Sequence, residues 1–120
     1  LYLREKNIKT GTLSDVAYGL ENEYALKDIA PIFKYIDLPY TSNDVGFRKP
    51  NTKGLQMIAQ KLSVDVDQIM FIGDEEKDII CANNAGAISV LIDRDEKRPE
   101  FGQKYRVSNL TELKKMIKWL

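Results

Sequence analysis

At 120 residues the chain suffices for one domain with a single core. Its 18 basic and 18 acidic residues cancel, which removes the charge argument for nucleic acid or an anionic membrane as a partner. One cysteine and no histidine exclude an internal disulfide and any mechanism that needs an imidazole base or ligand.

Residues 1–7 read as the end of a helix and residues 8–13 as a short strand, weakened by Gly11. Ser14 and Asp15 follow at the strand's carboxyl end. Residues 22–30 form a predicted helix in which Glu23 and Lys27 are spaced to pair. Pro31 interrupts it, and Phe33, Tyr35 and Ile36 are candidates for packing. A short strand over 39–42 leads into a polar loop, 43–49. Pro50 suits a helix start, because its missing donor costs nothing there. Leu55, Ile58, Ala59 and Leu62 then mark one helical face.

The apolar run Ile69, Met70, Phe71, Ile72 predicts a strand buried on both faces, as in a parallel sheet. Gly73 permits the sharp turn that follows it. The next helix runs to Ala85 and stops at Gly86, a candidate left-handed cap. Cys81, among Ile79, Ile80 and Ala82, reads as a small buried hydrophobe rather than a nucleophile. Residues 88–92 predict another strand, 93–102 a solvated charged loop, and 105–107 an edge strand. The last helix carries Leu110, Leu113, Met116, Ile117 and Leu120 on one face, with Asn109 as cap and Glu112 placed to complete the cap. No apolar run approaches the roughly 20 residues of a membrane span, and the charged start is no signal peptide. Alternating strands and helices predict an α/β fold, a doubly wound, Rossmann-like parallel sheet with helices on both faces.

Chemistry-bearing residues recur in one context, just past a strand. Ser14 and Asp15 follow the first, Lys49 closes the loop after the second, and Asp74 and Asp78 follow the strand ending at Gly73. In a parallel sheet all strand carboxyl ends share one edge, where such residues can converge. A hydroxyl, a backbone amide and an ammonium make a phosphate cradle. Two carboxylates suit a hard cation such as Mg²⁺. The plainer reading gives Asp74 a helix cap and Asp78 the favourable end of the helix dipole.

Ser14, the run Asp44-Val45-Gly46-Phe47-Arg48-Lys49-Pro50 and the run Gly73-Asp74-Glu75-Glu76-Lys77-Asp78 resemble, in order and spacing, the second, third and fourth motifs of the haloacid dehalogenase (HAD) superfamily. The resemblance covers nearly the whole chain and implies a HAD-type core with Mg²⁺-dependent phosphatase or phosphomutase chemistry on a small phosphorylated metabolite. It implies that Ser14 and the Asp15 amide bind the phosphoryl group and that Lys49 neutralises its oxygens. Asp74 and Asp78 would be the metal ligands. The family's nucleophile lies in an Asp-x-Asp motif on an earlier strand, and the cap domain usually follows it. Neither is recognised in residues 1–120, so the expectation is a single core domain that is the C-terminal portion of a longer cytoplasmic protein, inactive alone. A non-catalytic phosphate- and Mg²⁺-binding module is the alternative. A response-regulator receiver fits less well, since there the lysine follows the main acidic pair. Asp93-Arg94-Asp95 also follows a strand and would serve a circularly permuted enzyme. Without the central nucleophile strand, the strands before Ser14 and Asp74 are expected to pair directly or to borrow a strand in a homodimer.

Overall fold

The structure, a computed structural model, describes residues 8–14, 38–41, 49–95, 97 and 99–118. The expected helices over 1–7 and 22–30, the cluster at 33–36, Asp15, residues 42–48 and Leu120 lie outside them. The chain divides into two compact units, Leu1–Val64 and Asp65–Leu120.

In the first unit, β1 (Gly11–Ser14) runs parallel to β2 (Leu38–Thr41), with Gly11 opposite Leu38 and Ser14 opposite Thr41. Helix α1 (Lys53–Leu62) packs on β1 and buries Leu55, Ile58 and Ala59, and Leu13 of β1 is buried too. The expected start at Pro50 moves to Lys53. The Asn51 carboxamide oxygen accepts from the Lys53 N–H at 2.9 Å, and the first helical bond runs from Gln56 N–H to Thr52 O. That side-chain turn holds residues 51 and 52 outside the helix. At the other end, Ser63 adopts a left-handed conformation (φ 57°) and returns its N–H to the last turn. Lys9 Nζ donates to Leu62 O at 3.1 Å, meeting one of the carbonyls that a helix end leaves open.

The second unit is a three-stranded parallel sheet in the order β3 (Met70–Gly73), β4 (Ile88–Ile92), β5 (Tyr105–Val107). Alternation along β4 sends Val90 and Ile92 to one face, where they pack with Val107 and with Leu113 of α3 (Leu110–Lys118). Ser89 points the other way, to α2 (Glu76–Ala85), where its hydroxyl donates to Asn83 Oδ1 at 2.7 Å. Helices thus cover both faces of this sheet, as the doubly wound pattern requires. Gly86 caps α2 at φ 87°, and Cys81 is fully buried. Asn109 Oδ1 accepts from the Glu112 N–H at 2.9 Å, capping α3. The Glu112 carboxylate reaches back one residue further than expected, to Ser108 N–H at 2.7 Å.

Two expectations are corrected in this unit. Complete burial belongs to β4, whose Val90 and Leu91 are inaccessible, and not to β3, whose Ile72 is exposed. Among the described residues β3 is one of the two outer strands of this sheet, and α3 lies against the other, β5. Leu110 is also exposed, since it opens α3 before the helix reaches the sheet. Within the first unit β1 pairs with β2, and within the second β3 pairs with β4.

Candidate functional site

Parallel pairing decides where the acidic residues fall. Gly73 lies opposite Leu91, so the residues after β3 and β4 emerge at the same edge of the sheet. Asp74 and Asp93 are among them. Together with Ile92, Arg94, Asp95 and Lys97 they line a cleft of about 140 Å³. This is the carboxyl edge at which open α/β sheets bind ligands.

Asp74 is exposed and lines this cleft. It is not the helix cap of the plainer reading, because Glu75 occupies the N-cap position of α2. Asp78 stands at the third helical position and is 4% exposed. Its Oδ2 accepts from the Glu75 N–H at 3.1 Å, so the capping role expected of Asp74 falls in part to Asp78. A Cβ at residue 73 would collide with the Asp78 side chain, so glycine lets the Asp78 carboxyl settle against the strand end. The donor chemistry fits a hard cation. A Mg²⁺ ion keeps several waters and needs only one or two carboxylates from the protein. Among the described residues no group of three or more His, Cys, Asp or Glu is gathered to hold a metal, so any such site rests on this pair.

Ser14 ends β1, and Lys49 occupies the turn that precedes α1. Both belong to the first unit, while Asp74 and Asp78 belong to the second. Asp15 lies outside the described residues.

The expectation of a solvated loop after β4 is corrected at its first residue. Asp93 is 3% exposed. Arg106 Nη1 donates to its Oδ2 at 2.6 Å, and Lys97 N–H donates to its Oδ1 at 3.1 Å. Arg106 also reaches Pro99 O at 3.2 Å and Glu100 Oε1 at 3.1 Å. A nucleophile must present an oxygen to phosphorus, and both Asp93 oxygens are engaged inside the fold. The permuted-enzyme reading of Asp93 therefore has no geometric support. Sequence reasoning missed this ion pair, whose only sequence signal is an arginine in the middle of the last strand.

The profile of the haloacid dehalogenase-like hydrolase family matches residues 2–92. Phosphoglycolate phosphatase of Salmonella paratyphi A is 30% identical over 83 residues, which cover 64% of this chain and 33% of that protein. The enzyme of the same name from Escherichia coli K12 is 32% identical over 65 residues, covering 54% and 26%. A HAD phosphatase from Thermococcus onnurineus superposes with a TM-score of 0.84 at 25% identity, covering 97% of this chain and 53% of that one. A 2-haloacid dehalogenase from Pseudomonas syringae pv. Tomato DC3000 shares the fold, with a TM-score of 0.80 at 17% identity over 99% of this chain and 50% of the other. The chain spans about a third of the length of the first of these phosphatases and about half that of the solved proteins.

Proposed function

Because the chain belongs to the haloacid dehalogenase-like hydrolase family, we propose that the protein is a Mg²⁺-dependent phosphohydrolase acting on a small phosphate ester. The observation that carries this reading is the turn after β3. It presents an exposed carboxylate, Asp74, at the strand's carboxyl edge and seats a second, Asp78, in a buried position that only a glycine before it allows. The relatives named for phosphoglycolate phosphatase support phosphate-ester chemistry and make phosphoglycolate a natural first substrate to assay.

In this reading Asp74 and Asp78 hold the cation, directly or through water. The bound ion supplies charge neutralisation for the phosphoryl oxygens. Ser14 donates its hydroxyl to the phosphoryl group, assisted by the Asp15 amide, and Lys49 balances the charge that remains on the oxygens. Asp78 has a further task. By accepting from the Glu75 N–H it fixes the first turn of α2, and so the backbone that carries Asp74. The phosphoryl group passes to an aspartate and then to water, and no residue of this chain is assigned as that nucleophile.

Asp74→Asn and Asp78→Asn are each expected to weaken Mg²⁺ binding about tenfold or more, since each removes a charge from a two-carboxylate site. Asp74 is exposed, so its variant should keep the wild-type melting temperature. Calorimetric titration with Mg²⁺ measures the effect. Unchanged affinity in both variants would return Asp74 to an ordinary turn residue and Asp78 to a helix-capping role.

A further inference from the structure

Asp74 shares its cleft with a carboxylate whose oxygens are already taken. Asp93 is 3% exposed, and Arg106 and the Lys97 N–H each hold one of its oxygens. It remains a charge inside the fold. The other ionic groups that line the cleft, Arg94, Asp95 and Lys97, are exposed, so water and salt screen them. A buried charge is screened far less, and Asp93 is the one that the cation at Asp74 would feel.

The register of the sheet brings the counter-charge to the same edge. Gly73 lies opposite Leu91, and Leu91 lies opposite Arg106. The residue before Asp74 and the arginine therefore stand in one row across three strands. With strands about 4.8 Å apart, their backbones are about 10 Å from each other. From that row Arg106 Nη1 reaches Asp93 Oδ2 at 2.6 Å.

A site of two carboxylates already matches the charge of Mg²⁺. A third, uncancelled carboxylate in the cleft would hold the ion more tightly. It would also repel a phosphate dianion approaching that ion. We propose that Arg106 is a positioning residue for the cation site: by cancelling the buried charge of Asp93 it sets how tightly the ion is held and leaves that ion able to accept a phosphate. Arg106 itself touches neither. The proposal rests on the Mg²⁺ reading of Asp74 and Asp78.

Two probes test it, by calorimetric titration of the full-length protein at low ionic strength: Mg²⁺ alone, and inorganic phosphate at saturating Mg²⁺. Arg106→Gln keeps a donor for the Asp93 carboxylate and removes the positive charge. It should bind Mg²⁺ about fivefold more tightly, the worth of one unit charge about 9 Å from a divalent ion in water, and bind phosphate more weakly. Asp93→Asn leaves the arginine uncancelled and should reverse both signs. The double variant Asp93→Asn/Arg106→Gln is neutral again and should return both affinities to the wild-type values. If Arg106→Gln does not fold, Asp93→Asn and the double variant decide the matter by the same signs. A pair with a merely structural role would weaken both probes in every variant. That pattern, or no shift in either probe, overturns the proposal. Asp74→Asn is titrated alongside. If it binds Mg²⁺ as the wild type does, the metal reading falls and this proposal with it. If it loses the ion while the opposed shifts are missing, this proposal alone falls.

Discussion

Gly73→Ala is expected to destabilise the protein by about 3 kcal/mol, the upper part of the range for forcing a methyl into a packed site. The added Cβ would meet the Asp78 side chain from its carboxylate back to its Cβ, and that Cβ is fixed directly to the backbone of α2. Relief therefore requires β3 or the helix itself to shift. The Asp78 carboxyl would be displaced at the same time, so Mg²⁺ affinity should fall along with stability. Chemical denaturation and a Mg²⁺ titration on the same variant check both halves. A variant with wild-type stability would mean that the turn after β3 is looser than its packing indicates.

Arg106→Ala is expected to cost about 2 kcal/mol. Breaking a buried pair by removing one partner costs 3–5 kcal/mol because the other charge is left stranded. Here Asp93 is buried, but one third of the Arg106 side chain is exposed, so water can reach the arginine side of the gap and the effect is reduced. The double replacement Asp93→Val/Arg106→Met should recover most of the loss, since neither residue then leaves a charge inside. Urea denaturation of the two single variants and the double variant measures the coupling. If the two single effects simply add in the double variant, the ion pair is not the element that holds the turn after β4.

The sequence announced those features whose cause is local. Gly86 takes the left-handed conformation that a helix ending there requires, and Asn109 caps the helix it precedes. The stripe Leu55, Ile58, Ala59 marks the buried face of α1. Periodicity fixed that face but not the helix start, because Leu55 is the first apolar residue to report and the Asn51 side-chain turn comes before it. Features set by distant partners were hidden. An apolar run such as 69–72 does not say whether its strand lies inside or outside the sheet, and here the inner place belongs to β4. Asp93 opens a charged stretch and so reads as solvated. Its partner Arg106 lies thirteen residues away on another strand. Of the candidate site, Asp74 and Asp78 were legible because Gly-Asp-x-x-x-Asp encodes a strand end, a turn and a helix start in one segment. Arg94 and Lys97 were not, since only the parallel register of β3 and β4 brings their turn beside Asp74.

The most direct test of a Mg²⁺-dependent phosphohydrolase is the release of inorganic phosphate by the full-length protein from small phosphate esters, with phosphoglycolate first, measured with Mg²⁺ and again after its removal by chelation. The account predicts release that depends on Mg²⁺, returns when the ion is restored, and falls at least tenfold in Asp74→Asn (about 1.4 kcal/mol of transition-state stabilisation). Release that is unchanged by chelation and by Asp74→Asn, or no release from any ester by a protein that binds Mg²⁺, would contradict it.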